Sequence, residues 1–180
     1  MTGGRIARPA ADEHAPYYAR YIAQVPEGDV LELLRRQVDE TVALVGKLGE
    51  REGDFRYAEG KWSIKEVIGH VADAERIFVY RALCFARGEQ AGLPGFEENE
   101  YVARAKFAGR KLADLLAELR LVRAATVAFF AGLDAEELLR RGIANRHPYS
   151  VRAVAFIVAG HERHHAKILA ERYLTALPKR

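Results

Sequence analysis

Three of the six histidines fall where helical periodicity turns them toward a common interior. His161 and His165 lie in the segment SVRAVAFIVAGHERHHAKILAERYL. Its inward positions, taken in steps of three and four, are Val151, Val154, Val158, His161, His165, Ile168 and Arg172. Imidazoles at i and i+4 project in parallel from one helix face, at a spacing suited to a shared metal ion. His164 sits about 100° around the helix from His165 and is expected to point away from such an ion. A third imidazole, His70 in GHVADAER, shares a face with Val67, Ala74 and Ile77, so burying those residues must partly bury it too. An unpartnered ring there would lose its hydrogen bonds to water at a cost of about 1–3 kcal/mol. A metal would satisfy all three rings at once; the alternative for each is a hydrogen-bonded core histidine. His14 and His147 fall in expected loops and are read as solvated.

Residues 161–165 also satisfy H-E-x-x-H, the zinc-protease pattern in which the glutamate between the ligands is a general base. The two main layouts of such proteases place a third ligand C-terminal to the motif. Only fifteen residues follow His165, none of them histidine, and Glu171 lies off the face of the pair. The protease reading is therefore set aside, and Glu162 is not assigned as a base.

Three neutral imidazoles would leave a divalent ion its full charge and at least one open coordination position. A bound thiol would be deprotonated there and a bound water acidified toward about 7. Zinc is the default for a histidine-only site, with nickel, iron or manganese as alternatives. Around this set, Asp73 either fixes the far N–H of His70 or pairs with Arg76 or Arg81, the second being preferred. Arg123 either meets an acid or anionic ligand inside or snorkels to the surface, and snorkelling is preferred. Phe96 and Tyr101 either line a pocket mouth or pack their loop. Cys84 is read as core.

Four long amphipathic segments must position these groups, and no stretch alternates strictly enough to demand a sheet, so the expected class is all-α. The first helix starts at Asp29 as N-cap and runs to about Glu50. The second starts at Ser63, whose capping box with Glu66 is flanked by Trp62 and Val67 as a hydrophobic staple, and stops near Gly88. The third spans about Lys111–Ala131 and the fourth Ser150 to about Leu174, with a short helix at Asp134–Arg140 between them. Helices of roughly 20 to 25 residues are about 30–37 Å long, matched as a four-helix bundle requires. The long connections between helices 2 and 3 and between helices 3 and 4 are candidate site walls.

The 180 residues, 49% apolar and 29% charged, suit one soluble domain, 1–180, with residues 1–28 as an N-terminal arm. A chain of this size needs no metal merely to stay folded, so a metal site here would serve chemistry. The net charge of +3 is dispersed, which argues against nucleic acid as a partner. One cysteine rules out an internal disulfide and fits a reducing compartment. With no signal-like or membrane-spanning apolar run, the expected location is cytoplasmic.

The segments KWSIKEVIGHVADAERIFVYRALCFARG, PGF and GHERHHAKILAERYL together resemble the DinB-like (damage-inducible) superfamily, and the likeness spans roughly Tyr17 to Tyr173. The resemblance implies a four-helix bundle of up-up-down-down style, often homodimeric, with a divalent metal held by His70, His161 and His165. It also implies thiol chemistry, because characterised relatives include S-transferases that use bacillithiol, mycothiol or glutathione, and a maleylpyruvate isomerase. The expected function is transfer of a low-molecular-weight thiol to a small electrophilic substrate. The alternatives are a metal-dependent hydrolase and a catalytically silent, stress-responsive metal-binding protein.

Overall fold

A computed structural model describes residues 5–178. Its helices are α1 (Ala19–Ile22), α2 (Val30–Val45), α3 (Glu50–Gly53), α4 (Ile64–Ala86), α5 (Glu98–Ala105), α6 (Leu112–Ala131), α7 (Ala135–Leu139), α8 (Val151–Ile168) and α9 (Leu174–Ala176). One antiparallel hairpin, β1 (Arg141–Ala144) with β2 (His147–Ser150), precedes α8. The long helices α2, α4, α6 and α8 form the bundle.

Local chemistry sets their ends. Asp29 accepts from the backbone N–H groups of Leu31 and Glu32 at the start of α2. Ser63 and Glu66 make the reciprocal capping box of α4, and Gly88, at φ +83°, lies two residues past its end. Ser150 caps α8 through the N–H of Ala153. The first helix is shorter than the expected run to about Glu50: α2 ends at Val45 and the chain turns at Gly46 before the separate turn α3.

Contacts run α2–α6, α6–α4, α4–α8 and α8–α2, so α2 and α4 occupy opposite corners. Side-chain pairs give the directions. Leu34 meets Arg123 and Asp39 meets Arg120, so α2 and α6 are antiparallel. Gly69 faces Phe107, Glu75 meets Arg123 and Arg87 meets Glu137, so α4 and α6 run in parallel. His70 meets His161 while Phe85 faces Gly142, so α4 and α8 are antiparallel. The order is up-down-down-up, which corrects the up-up-down-down expectation. Parallel neighbours α4 and α6 need a crossover the length of the bundle, and residues 87–111 supply it.

The hairpin was not expected. Its two-residue loop, Asn145–Arg146, has φ of +48° and +64°, as a type I′ turn requires. Arg146 stands where glycine is usual, which hides the turn from the sequence. The segment before α2 lies against the bundle: Ile6, Ile22 and Val25 enter the same core cluster as Phe78, Phe85 and Val154. Glu13, its carboxyl pulled down to about 2 chiefly by its hydrogen bond with Arg152, ties this segment to α8. His14, expected to be solvated, is buried and holds the Ala15 carbonyl with Nδ1 at 2.9 Å. At Gly160 an added Cβ would stand 2.1 Å from the Tyr21 carbonyl oxygen. Only glycine there lets α1 close on α8.

Beyond Ile168 the last helix takes a π turn, Leu169–Tyr173. The extra residue rotates the end of the helix, so Leu169 and Tyr173 are buried while Arg172, expected inward, is exposed. Among the described residues, no helix is long and apolar enough to cross a membrane.

Candidate metal centre

His70, on the second turn of α4, and His161 and His165, one turn apart on α8, meet where these antiparallel helices face each other. His161 Nε2 lies 3.2 Å from Nε2 of His70 and 3.2 Å from Nε2 of His165. One ligand atom from each of the three lies within 4.8 Å of those of the others. Tetrahedral coordination at Zn–N bonds of about 2.05 Å sets ligand atoms about 3.3 Å apart, so the donor set fits a metal of that size. His164 is outside this group and packs edge-on to Tyr21. His147 is exposed on the hairpin, though it borders a cavity next to the cluster.

Aromatic rings hold the imidazoles in place. Trp62 lies 4.6 Å from the His70 ring and is stacked with His165 at 6.4 Å. Tyr173, brought inward by the π turn, donates its hydroxyl to the Trp62 carbonyl at 2.6 Å. Tyr21 and Phe78 pack edge-on against His161 at 5.5 and 5.6 Å. Tyr21 was not singled out from the sequence, although the cluster PYYARY just before the bundle carries three phenols at helical spacing.

Burial lowers the basicity of all three rings. His70 is pushed down to about 4 by desolvation. His161 and His165 also lie well below their ordinary range, chiefly through burial and then through the neighbouring imidazoles. They are therefore neutral at pH 7, with lone pairs free for a cation. An unfolded chain takes up the His70 proton near pH 6.5 while the folded one resists until about 4, and His161 and His165 resist in the same direction. This part of the stability is complete above pH 6.5 and is lost as pH falls toward 4. Urea denaturation of metal-free protein should show a midpoint that drops across that window, with a shallower drop in His70→Asn. A midpoint independent of pH between 6.5 and 4 would contradict the neutral-cluster assignment.

Glu162 belongs to a different structure. It is buried against Arg123, whose Nη1 lies 2.7 Å from its carboxylate, and Gln37 donates to the same oxygen. Arg123 also holds Glu75 through Nε and Nη2 at 2.9 and 2.7 Å and donates to the Leu34 carbonyl. The surface placement preferred for Arg123 is thus wrong: it is 1% exposed, because two carboxylates inside the bundle compensate its charge. With Glu162 so engaged, Glu162→Gln should leave metal content unchanged and should neither create nor remove peptidase activity. Zinc-dependent cleavage of a peptide panel that disappears in this variant would reinstate the protease reading. Asp73 pairs with Arg76 at 3.2 Å. Cys84 is half-buried against the core.

Beside His70 and His161 opens a cavity of about 390 Å³. Tyr18, Tyr21, Phe78, Arg81 and Tyr149 form much of its wall, while Phe96, Glu97 and Glu98 of the long α4–α6 connection border it. Tyr101 packs on Phe96 at 5.2 Å, so it supports the wall from behind.

The sequence pattern of the DinB superfamily matches residues 33–169, a span that contains all three histidines and, apart from the first three residues of α2, the four bundle helices. The chain belongs to the DinB superfamily. Among solved structures this DinB chain is similar to YfiT from Bacillus subtilis, with a TM-score of 0.74 at 14% identity. The match covers 84% of this chain and 90% of that one. YfiT is described as a probable metal-dependent hydrolase with an unusual four-helix bundle topology. No curated protein matches the present chain in sequence.

Proposed function

We propose that this DinB-superfamily chain is a divalent-metal-dependent enzyme that transfers a low-molecular-weight thiol to a small electrophile. His70, His161 and His165 would hold the ion, zinc being the first choice for a histidine-only set. The observation that carries this reading is the convergence of three neutral imidazoles, two of which, His70 and His161, line an open cavity large enough for a small organic molecule. When bound, the ion would supply Lewis acidity that makes a thiol or a water nucleophilic at neutral pH.

The chain's own residues perform the remaining tasks. Trp62, Tyr21 and Phe78 fix the ring orientations, so the ligand atoms need little rearrangement to coordinate. Tyr18, Phe78 and Tyr149 surround the inner cavity with aromatic surface and limit access of bulk water. Arg20, stacked on Tyr17 at 4.0 Å and donating to the Tyr21 hydroxyl at 2.9 Å, pins the phenol that borders both cavity and cluster.

Water as nucleophile is the second reading, favoured by the description of YfiT as a probable hydrolase. A homodimer in the cytoplasm completes the proposal. Exposed Tyr80, Leu83 and Leu121 along α4 and α6 offer an apolar face for a second copy.

Metal analysis of protein purified without a histidine tag should give about one divalent ion per chain. Conjugation to an electrophilic probe should then require metal and one of bacillithiol, mycothiol or glutathione. Ester or amide turnover that needs metal but gains nothing from any thiol would move the assignment to the hydrolase. A metal bound with no turnover of either kind would identify a silent binding protein.

A further inference from the structure

We propose that the cavity beside the three histidines takes an elongated small molecule whose far end is anionic, a carboxylate by preference, and that Arg81 receives that end. The role of the near end rests on the metal-enzyme reading above; the Arg81 subsite does not.

Three cationic side chains are buried among the described residues: Lys65, Arg81 and Arg123. Lys65 has Glu50 and Asp54 at 2.9 and 3.0 Å, and Arg123 has Glu75 and Glu162. Arg81, 4% exposed, makes no ion pair with any described residue. Its Nη2 donates to the Pro94 carbonyl at 2.8 Å, and its guanidinium stands 5.9 Å from the Phe96 ring centre. A guanidinium offers five N–H donors and stays charged at any physiological pH, so it cannot escape burial by losing its proton. A buried charge without a partner is strongly unfavourable, yet this one forms part of a cavity wall. The phenols of Tyr18 and Tyr149, which border the same space, are held neutral by burial and give no counter-charge. Glu97 and Glu98 lie at the exposed rim, where water and salt screen them. The missing anion is therefore assigned to a ligand.

The placement also sets the ligand's length. His70, Ala74, Phe78 and Arg81 all line the cavity from one face of α4. The eleven helical steps from His70 to Arg81 span about 16 Å of helix axis. Helical side chains incline toward the N-terminus, and the longer stem of Arg81 carries its guanidinium back further than the His70 ring, which shortens the gap by part of that length. A compact ion such as acetate could not reach both ends, whereas a chain of several carbons could. Phe78 and the tyrosines between them suit an apolar middle.

A matched pair of probes tests this: 6-mercaptohexanoate and 6-mercaptohexan-1-ol, titrated calorimetrically into zinc-loaded and zinc-free protein. The acid should bind about 10-fold or more tightly than the alcohol, the increment of a charge-assisted hydrogen bond. Arg81→Met should abolish the difference, and Arg81→Lys should keep part of it, since a point charge replaces a fork. If Arg81→Met does not fold, a preference reduced in Arg81→Lys decides in favour of the proposal and an unchanged one decides against it. An Arg81-dependent preference for the acid in zinc-free protein, with zinc adding nothing for either thiol, would uphold this subsite while the metal-enzyme reading fails. Equal binding of acid and alcohol, with Arg81→Met altering only thermal stability, would overturn the proposal and leave Arg81 as a clamp on Pro94.

Discussion

His161→Ala and, separately, His165→Ala should remove bound metal and turnover together. Each change leaves two imidazoles, and two ligands cannot define a closed tetrahedral set with one open position. Loss of a group that merely orients a ligand commonly costs 10- to 100-fold in metal affinity or activity, so loss of a ligand should cost at least about 100-fold. His161 should be the more damaging, because it is central in the cluster, its Nε2 lying 3.2 Å from that of each of the other two. Metal content after dialysis against a weak chelator, measured beside the thiol-conjugation rate, reads both effects. Stoichiometric metal and wild-type turnover in His161→Ala would remove the site from His161 altogether. His164→Ala, outside the cluster, serves as the control and should retain both.

The three histidines were legible because helical geometry converts sequence spacing into direction. His161 and His165 follow Val154 and Val158 on one stripe, and His70 sits with Val67 and Ala74, so apolar neighbours reported which way each ring turned. The helix starts were legible for a related reason: Asp29, Ser63 and Ser150 satisfy N–H groups that any helix leaves open. The features that escaped depend on partners distant in the chain. For Arg123 the sequence left an interior acid as the less favoured alternative to snorkelling, because its burial arises from Glu75 and Glu162, 48 and 39 positions away, converging on it. The π turn at Leu169–Tyr173 has no local signature, and its effect, Tyr173 in and Arg172 out, reflects the partner that Tyr173 finds in the Trp62 carbonyl. The helix directions also escaped. Periodicity gives each helix a buried face without saying which neighbour covers it, although the length of the 87–111 connection is what a parallel α4–α6 pair demands.

Arg123→Met should cost about 3–5 kcal/mol of folding stability, the penalty for removing one partner of a buried ionic group. The reason lies in the groups left behind. Glu75 and Glu162 are 2% and 1% exposed, and without the guanidinium two carboxylates would share the bundle interior with only Gln37 to donate to one of them. Little of either carboxylate meets solvent as the protein stands, so they must take up protons, draw water in or pull the helices apart. For a domain of this size, with each kcal/mol moving Tm by about 2–4 °C, the midpoint should fall by roughly 6–20 °C. Adding Glu75→Gln and Glu162→Gln to Arg123→Met should recover much of the loss, because neutral amides need no counter-charge, so the triple variant should melt above the single one. The network also fixes the register of α8 against α2, α4 and α6 one residue from His161. Metal affinity should therefore weaken in Arg123→Met even though that side chain lies outside the histidine cluster. Thermal unfolding followed by circular dichroism, with metal affinity measured well below each midpoint, separates the two effects. A loss under about 1 kcal/mol, or a triple variant less stable than Arg123→Met alone, would mean that the two carboxylates do not depend on Arg123 for their compensation.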